Sequence, residues 1–525
     1  MVASVSDASL EIAPPGPFSR ARPPLWLLLT QLGALSFHLP ILFTTNNWRA
    51  NSSLVVATAV ALAVLVVSLL LHFGLGRLLK SHWKALEATS VALIAFWHWR
   101  AFESDTLTPG TPILGMAIGV LLLVFASRFA DHRYMRVGAY AVSVTLLVAG
   151  CVVLASLAIQ SPVTSIEKAP SISLDSTSPK PDIYLFFVDG YGRADVLAED
   201  YGFDNSTFVD SLREQGFFVA DDSTANYSGT HFSMASILSM DYIAEEGPDI
   251  TVADLRELGL IIGGDNPTVA ALKEAGYTYV HGSSDWWGND CGRQADFCMA
   301  TPLIDITSYD LLNQTPIRYL LYRETGDPGT KIALTRLQEF RDRDSWARSW
   351  GDDPLFVFMH VLIPHPPLFL DVNCEPRTGD LYAQRRLNSY PPLPPTVVEV
   401  RKTAYVDQVV CTNTMIQALV DAVPQDAVML IMSDHGPDSR SQIALPAETW
   451  NAAARTERFG NLVALRTPCN DQADSDIDAV NVLRFSLRCV FDADLPDLDG
   501  RYFVVPSARY TGPLREVDAP TKDFS

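Results

Sequence analysis

The chain has 525 residues, 48% of them hydrophobic, and a formal net charge of −21 at pH 7. That length exceeds one ordinary domain, and the acidic balance argues against a basic nucleic-acid surface. Apolar residues crowd the part before about residue 160 and acids the part after it, where they suit cation binding or simple solubility.

Residues 1–23 are polar and proline-rich, with Arg20 and Arg22 just before the first apolar run, and read as a cytoplasmic tail. No small-x-small cleavage site follows closely, and further apolar runs come after, so no cleaved signal peptide is read. Residues 24–160 then predict five spans: Leu25–Phe43, Leu54–Leu71, Leu86–Phe102, Ile113–Phe129 and Val137–Ile159. The second, fourth and fifth are apolar and long enough for about 30 Å of hydrocarbon. The third is weaker, with His98 and Arg100 near its end, and on composition alone suits a re-entrant segment. Charge placement decides. Arg77, Lys80 and Lys84 form one basic loop, Arg128, Arg133 and Arg136 the next, and the acidic Glu103-Ser104-Asp105 lies between them. Positive loops stay in the cytoplasm. Both basic loops share that side with Arg20 and Arg22 only if the third segment crosses. Five crossings leave everything after Ile159 outside.

Residues 161–181, rich in Ser, Pro and Thr, read as a linker. Residues 182–525 alternate strand and helix, which predicts an α/β domain with a mixed, mostly parallel sheet between helices. Strands are expected to Val188 and at Phe217–Ala220, Tyr277–His281, Leu355–Met359 and from Ala427. Helices are expected around Ser206–Gln215, Thr268–Ala275 and Thr403–Val423. Cys151 falls in an apolar run, as a small hydrophobe. The other six cysteines follow residue 160, where an extracytoplasmic setting permits three disulfides among fifteen pairings. Cys291 and Cys298 lie close across a turn-like stretch, Cys469 and Cys489 bracket a helix, and Cys374 with Cys411 is what remains. No Cys-x-x-Cys pair or Cys–His cluster suggests structural zinc.

Three stretches carry chemistry. Ala427–Gly436 (AVMLIMSDHG) is a short apolar run that ends in Asp434 and His435, at the carboxyl edge where open α/β sheets bind ligands. Asp182–Gly190 repeats the pattern and delivers Asp189 into a glycine turn. Either motif alone reads as a solvated turn aspartate. Together they place hard oxygen ligands side by side, and an imidazole beside them suits zinc or manganese. The third stretch begins at Asn226 (NYSGTHFSMASIL) and sets small hydroxyl residues before a helical run. It is either a plain N-cap or an anion-stabilising helix start whose hydroxyl, beside a divalent metal, becomes a nucleophile.

Taken in order, PDIYLFFVDGYGRADVL, NYSGTHFSMASILS, FMHVLIPHPP and MLIMSDHG resemble the alkaline phosphatase/sulfatase superfamily. Five spans before such a domain resemble its lipoteichoic acid synthase and phosphoethanolamine transferase branch. The resemblance implies Thr230 as nucleophile, with Ser228 as the fallback, and metal ligands at Asp189, Thr230, Asp434 and His435. It implies one divalent metal ion (manganese, zinc or magnesium), because Gly190 follows Asp189 where sulfatases pair two acids. Thr230, Phe232 and Met234 replace the pattern that sulfatases convert to formylglycine, so that modification is excluded. His365 and His281 are implied to meet the substrate's phosphate, and Trp287 to line the pocket. His360 reads as core or site, and His231 flanks the nucleophile without a role. ERFGNLVALRTP (Glu457 to Pro468) and AVNVLRFSLRCVF (Ala479 to Phe491) also resemble membrane-bound members, and read as core and sheet edge.

The expected function is a metal-dependent phosphotransferase of the inner membrane, its C-terminal domain periplasmic or extracellular. It would move a phospho-headgroup from a membrane phospholipid to a glycan or lipid acceptor through a phosphothreonine intermediate, with no nucleic-acid partner. The same site would also serve a phosphodiesterase or phosphatase of the cell envelope. A catalytically inactive membrane-anchored binding protein is the alternative of another class.

Overall fold

The computed structural model describes residues 16–46, 54–99, 132–159, 172–175, 178–243, 247, 249–284, 288–299, 311–312, 314–317, 353–375, 377, 394–439, 445–505 and 512–520. The chain divides into two compact units, one built around the N-terminal helices and one an α/β domain.

The first unit contains α1 (Leu25–Asn46), α2 (Leu54–Leu78), α3 (His82–Trp97) and α4 (Arg133–Ile159). Among the described residues three stretches are long and apolar enough to cross a membrane: Leu25–Phe43, Ala57–Leu78 and Arg133–Val152. Helix α3 has 16 residues, and at 1.5 Å per residue it covers about 24 Å, short of a full hydrocarbon core. It starts a turn earlier than expected because Ser81 caps it, accepting a hydrogen bond from Lys84 N. The expected fourth span, Ile113–Phe129, lies outside the described residues, as do most of the linker and the end of the third span. Polar pairs knit α1 to α3 among Leu27, Leu32, Leu86 and Leu93. Gln31 Nε2 donates to Ser90 Oγ at 2.9 Å, and the Nε2 atoms of His38 and His98 lie 3.3 Å apart.

In the second unit the strands are β1 (Ile183–Val188), β2 (Phe218–Val219), β3 (Asp249–Ile250), β4 (Thr278–Gly282), β5 (Phe297–Met299), β6 (Leu355–Val361), β7 (Val428–Met432), β8 (Val463–Arg466), β9 (Tyr502–Val504), β10 (Gly512–Pro513) and β11 (Arg515–Val517). A seven-stranded sheet runs in the order β2-β8-β7-β1-β6-β4-β5. Its centre is parallel: β1 pairs with β6 and β7, and β4 with β5 and β6. β8 is antiparallel to β7 and β2, so the expected mixed, mostly parallel sheet is present.

The unbroken apolar runs follow from burial on both faces. In β1, Ile183, Leu185 and Phe187 join one core, while Tyr184, Phe186 and Val188 join the other. β7 splits the same way, with Val428, Leu430 and Met432 against Met429 and Ile431. Helices α7 (Thr230–Ser239), α8 (Val252–Ile262), α9 (Pro267–Glu274) and α12 (Asn481–Phe491) supply apolar residues to the first core. On the other face lie α5 (Ala194–Tyr201), α6 (Ser206–Glu214) and α10 (Pro395–Ala422). α11 (Ala452–Phe459) follows β7. α10 begins eight residues before the expected Thr403, because Pro395 at its first turn needs no N–H donor. Its buried face holds Val409, Ile416, Leu419 and Val420 as expected, while Val406 and Val410 are only half-buried.

The six cysteines after residue 160 pair as expected: Cys291–Cys298, Cys374–Cys411 and Cys469–Cys489, with Cα separations of 5.8, 5.0 and 5.9 Å. The last pair does not bracket a helix. Cys489 sits inside α12 and anchors it to the turn after β8.

Candidate active site

Adjacent strands β1 and β7 end at the same edge of the sheet, with Phe187 opposite Met432. Asp189 follows β1 directly, and Asp434 and His435 follow β7 after Ser433. The turn at Gly190 needs its positive φ of 68°, and this turn directs Gly190 N onto Asp434 Oδ1 at 3.1 Å. Asp189, Asp434 and His435 are fully buried, and one potential ligand atom from each lies within 4.8 Å of the others. His435 Nε2 is 3.2 Å from Asp434 Oδ2 and 3.7 Å from Asp189 Oδ1.

Helix α7 begins at this group. Its N-cap, Gly229, offers no side chain, so the first N–H groups are not capped from there and the positive end of the helix faces the site. Thr230, its first residue, places Oγ1 3.0 Å from His435 Nε2. Ser233 Oγ donates to the carbonyl of Asp434, tying the first turn to the loop after β7.

The residues fit a divalent cation. Both carboxylate oxygens of Asp189 and Oδ2 of Asp434 are buried and, among the described residues, accept no hydrogen bond, a costly state for unpaired charge. His435 Nδ1 donates to the Gly436 carbonyl at 2.9 Å, which leaves a lone pair on Nε2 facing those oxygens. A lone pair beside two carboxylates is repulsive unless a cation or proton lies between them. Burial lifts the Asp434 carboxyl to about 7, with the Asp189 charge adding to it. Burial likewise raises Asp189, opposed by His365 and Arg458. Burial lowers His435 and His365, and brings His360 down to about 4, which favours the neutral imidazole in each, with the Asp189 charge opposing the shift at His365.

His365 lies in the loop after β6, whose backbone N donates to the Asp189 carbonyl at 2.9 Å. Its ring centre is 6.1 Å from that of His435, and Nδ1 donates to the Pro366 carbonyl. His281 sits further back, on β4. Its nitrogens meet Tyr279 Oη at 2.8 Å and Asn289 Oδ1 at 3.0 Å. A polar chain leads from there to the site: Asn289 Nδ2 to Ser284 Oγ, 3.3 Å; Ser284 Oγ to His360 Nδ1, 2.9 Å; His360 Nε2 to Asp189 Oδ2, 3.4 Å. His360, left open between core and site by the sequence, therefore belongs to the site. Trp287 lies outside the described residues. Ser228 Oγ accepts the Val505 N–H at 2.9 Å, which makes it a structural anchor. His231 is buried against the Gly288 turn.

Arg458 on α11 was assigned no chemistry from sequence, yet it reaches both loops of the site. Nε donates to the Ser228 carbonyl at 2.8 Å, and Nη1 to the Gly436 carbonyl at 3.1 Å.

The chain is similar to the C-terminal periplasmic domain of EcEptC from Escherichia coli, at 12% identity over 67% of this chain and 96% of that one, with a TM-score of 0.38. It is also similar to the phosphonate monoester hydrolase of Agrobacterium radiobacter, at 13% identity over 62% and 80%, with a TM-score of 0.41. A third is the integral membrane lipooligosaccharide phosphoethanolamine transferase A from Neisseria meningitidis, at 11% identity over 90% and 95%, with a TM-score of 0.39. No curated protein sequence matches the chain. The sulfatase family model matches residues 181–464, and with more than half of its length in that match the chain belongs to the sulfatase family, within the alkaline phosphatase/sulfatase superfamily of enzymes.

Proposed function

We propose that this enzyme is a membrane-anchored phosphotransferase that moves a phospho-headgroup from a membrane phospholipid to a glycan or lipid acceptor. The observation that carries this reading is the Thr230 hydroxyl at the start of α7, 3.0 Å from His435 and beside the buried Asp189–Asp434 pair. Thr230 attacks phosphorus. The new Thr230 Oγ1–P bond forms as the bond from phosphorus to the diglyceride oxygen breaks, and the diglyceride leaves as an alcohol carrying a proton. An acceptor hydroxyl then attacks the phosphothreonine, gives up its proton, and releases Thr230.

Asp189, Asp434, His435 and Thr230 would hold one divalent metal ion, of manganese, zinc or magnesium. When bound, it lowers the pKa of the threonine hydroxyl and neutralises charge on phosphoryl oxygens. The N-terminal N–H groups of α7 donate to those oxygens, and His365, whose Nδ1–H is held by the Pro366 carbonyl, donates to them from Nε2 once that nitrogen takes up a proton. His281 and His360 support the site from behind through the Asn289–Ser284 chain, and Trp287 is assigned to the pocket wall.

The domains proposed are a cytoplasmic tail at 1–23, five spans within 24–160, a linker at 161–181 and an extracytoplasmic catalytic domain at 182–525. Anchoring keeps the domain on the bilayer that holds its donor, which removes a diffusional search. The five-span arrangement and the ordered motifs resemble the lipoteichoic acid synthase and phosphoethanolamine transferase branch.

The test is acceptor dependence. The full chain, incubated with phospholipid vesicles, should release diglyceride steadily only when a glycan or lipid acceptor is supplied. Steady release of diglyceride and free phospho-headgroup into water alone would make it a phosphodiesterase.

A further inference from the structure

We propose that Arg458 is a positioning residue of this site: its guanidinium locks the loop that carries Thr230 to the loop that carries His435. The proposal rests on the reading of the site given above, and gives work to the ERFGN segment, which carries no recognisable catalytic motif.

Arg458 is 3% exposed. Buried guanidinium groups are ordinarily paired with a carboxylate, but among the described residues Arg458 makes no ion pair. Its recorded hydrogen bonds end on two carbonyls instead. The Ser228 carbonyl lies two residues before Thr230, and the Gly436 carbonyl lies one residue after His435. The Gly436 carbonyl also accepts His435 Nδ1–H at 2.9 Å. One oxygen thus takes the proton that fixes the imidazole tautomer and a donor from the arginine that fixes the oxygen. The same arginine holds the strand of chain leading into α7. Its two ends therefore set the approach of Thr230 Oγ1 to His435 Nε2 without touching either atom.

The packing beneath is independent of the side chain and points the same way. Gly436 N donates to the Arg458 carbonyl at 2.8 Å. A Cβ at Gly436 would lie 2.1 Å from the Glu457 carbonyl and 2.6 Å from that of Gly460. The last turn of α11 and the loop after β7 are therefore seated directly on one another. A planar, forked donor suits two carbonyls in different loops better than a point charge does.

The test uses the full chain in detergent, with Arg458→Lys and Arg458→Gln. Manganese is titrated into chelator-stripped protein, and turnover is followed on bis(para-nitrophenyl) phosphate. Arg458→Gln should lower metal affinity and kcat by about 10–100-fold, the scale for residues that orient metal ligands, with KM within about twofold of the parent. Arg458→Lys, which keeps the charge and loses the fork, should fall between. Both effects are read per folded molecule, below the melting temperature of each variant. Metal affinity and kcat within about twofold of the parent in both folded variants would overturn the proposal. So would failure of both to fold, because the role is then purely structural. A Thr230→Ala arm keeps the two readings apart. Full turnover there removes the proposed nucleophile, while the metal titrations still decide on Arg458.

Discussion

Thr230 Oγ1 stands 3.0 Å from His435 Nε2, although 205 residues separate the two in sequence. Each arrives for its own local reason: His435 at the carboxyl end of a strand buried on both faces, Thr230 at the start of a helix that packs on that sheet. Their meeting requires the seat of α7 against the loop after β7 through Ser233, while the parallel pairing of β1 with β7 brings Asp189 to the same edge.

Gly436→Ala should destabilise the domain and weaken the site together. The added methyl meets two backbone carbonyls at 2.1 and 2.6 Å, and backbone cannot swing aside as a long side chain does. A cost of about 1–3 kcal/mol is expected for such overpacking. The measurement is a melting curve alongside a metal titration; a variant that melts with the parent and binds metal equally well contradicts the packing described.

Metal and pH should act against one another. In metal-free protein the Asp434 carboxyl is raised to about 7, chiefly by burial. A carboxyl whose folded pKa lies above its unfolded value favours the folded state while protonated. Its contribution is full below the unfolded pKa and is lost as pH rises through about 7. Bound metal requires the ionised form, so its stabilisation grows over that same rise. The melting-temperature gap between metal-loaded and chelator-treated protein should therefore widen between about pH 5 and pH 8. A gap that is flat or shrinks with rising pH would show that Asp434 is not a ligand.

Much of this site was legible because its signals are local. The runs ending at Asp189 and Asp434 are unbroken and apolar, since both faces of β1 and β7 meet a core, and each ends in a residue type that has no business there unless it is used. Among the cysteines only Cys291 and Cys298 are near neighbours in sequence; the other two bridges close separations of 37 and 20 residues, which the fold and not the spacing brings together. His360 was harder. Strand parity sets it opposite Met359, but only the meeting of the end of β6 with the turn after β1 brings Nε2 to 3.4 Å from Asp189. Arg458 was harder still, because its partners are carbonyls, which every residue has. The first turns of α10 were hidden by Thr396, Val397 and Val398, residues of modest helix propensity, and are helical through tertiary packing and Pro395.

Topology can be read directly. If the basic loops at Arg77–Lys84 and Arg128–Arg136 are both cytoplasmic, a phosphatase reporter fused after Ser525 is active and a cytoplasm-dependent fluorescent reporter there is dark. The opposite pattern removes one crossing and, with it, the oxidising setting that the three disulfides require.

Thr230 gives the sharpest test, because its hydroxyl is assigned two tasks at once. Thr230→Ala removes the nucleophile and should cut turnover by roughly three or more orders of magnitude, as loss of a covalent nucleophile does. Thr230→Ser keeps a hydroxyl and should retain part of the activity, limited by the freer χ1 of an unbranched side chain. Ser228→Ala should leave turnover far less affected, since its Oγ serves the Val505 N–H. The adduct itself can be sought by incubating the full chain with phospholipid and no acceptor, then mapping peptides by mass. A phospho-headgroup should be found on the peptide that holds Thr230 and be missing from Thr230→Ala. Because Ser228 and Thr230 share that peptide, fragmentation must place the group on one or the other. Its location on Ser228 would move the nucleophile into a hydroxyl that the fold has otherwise engaged, and full turnover by Thr230→Ala would end the covalent route.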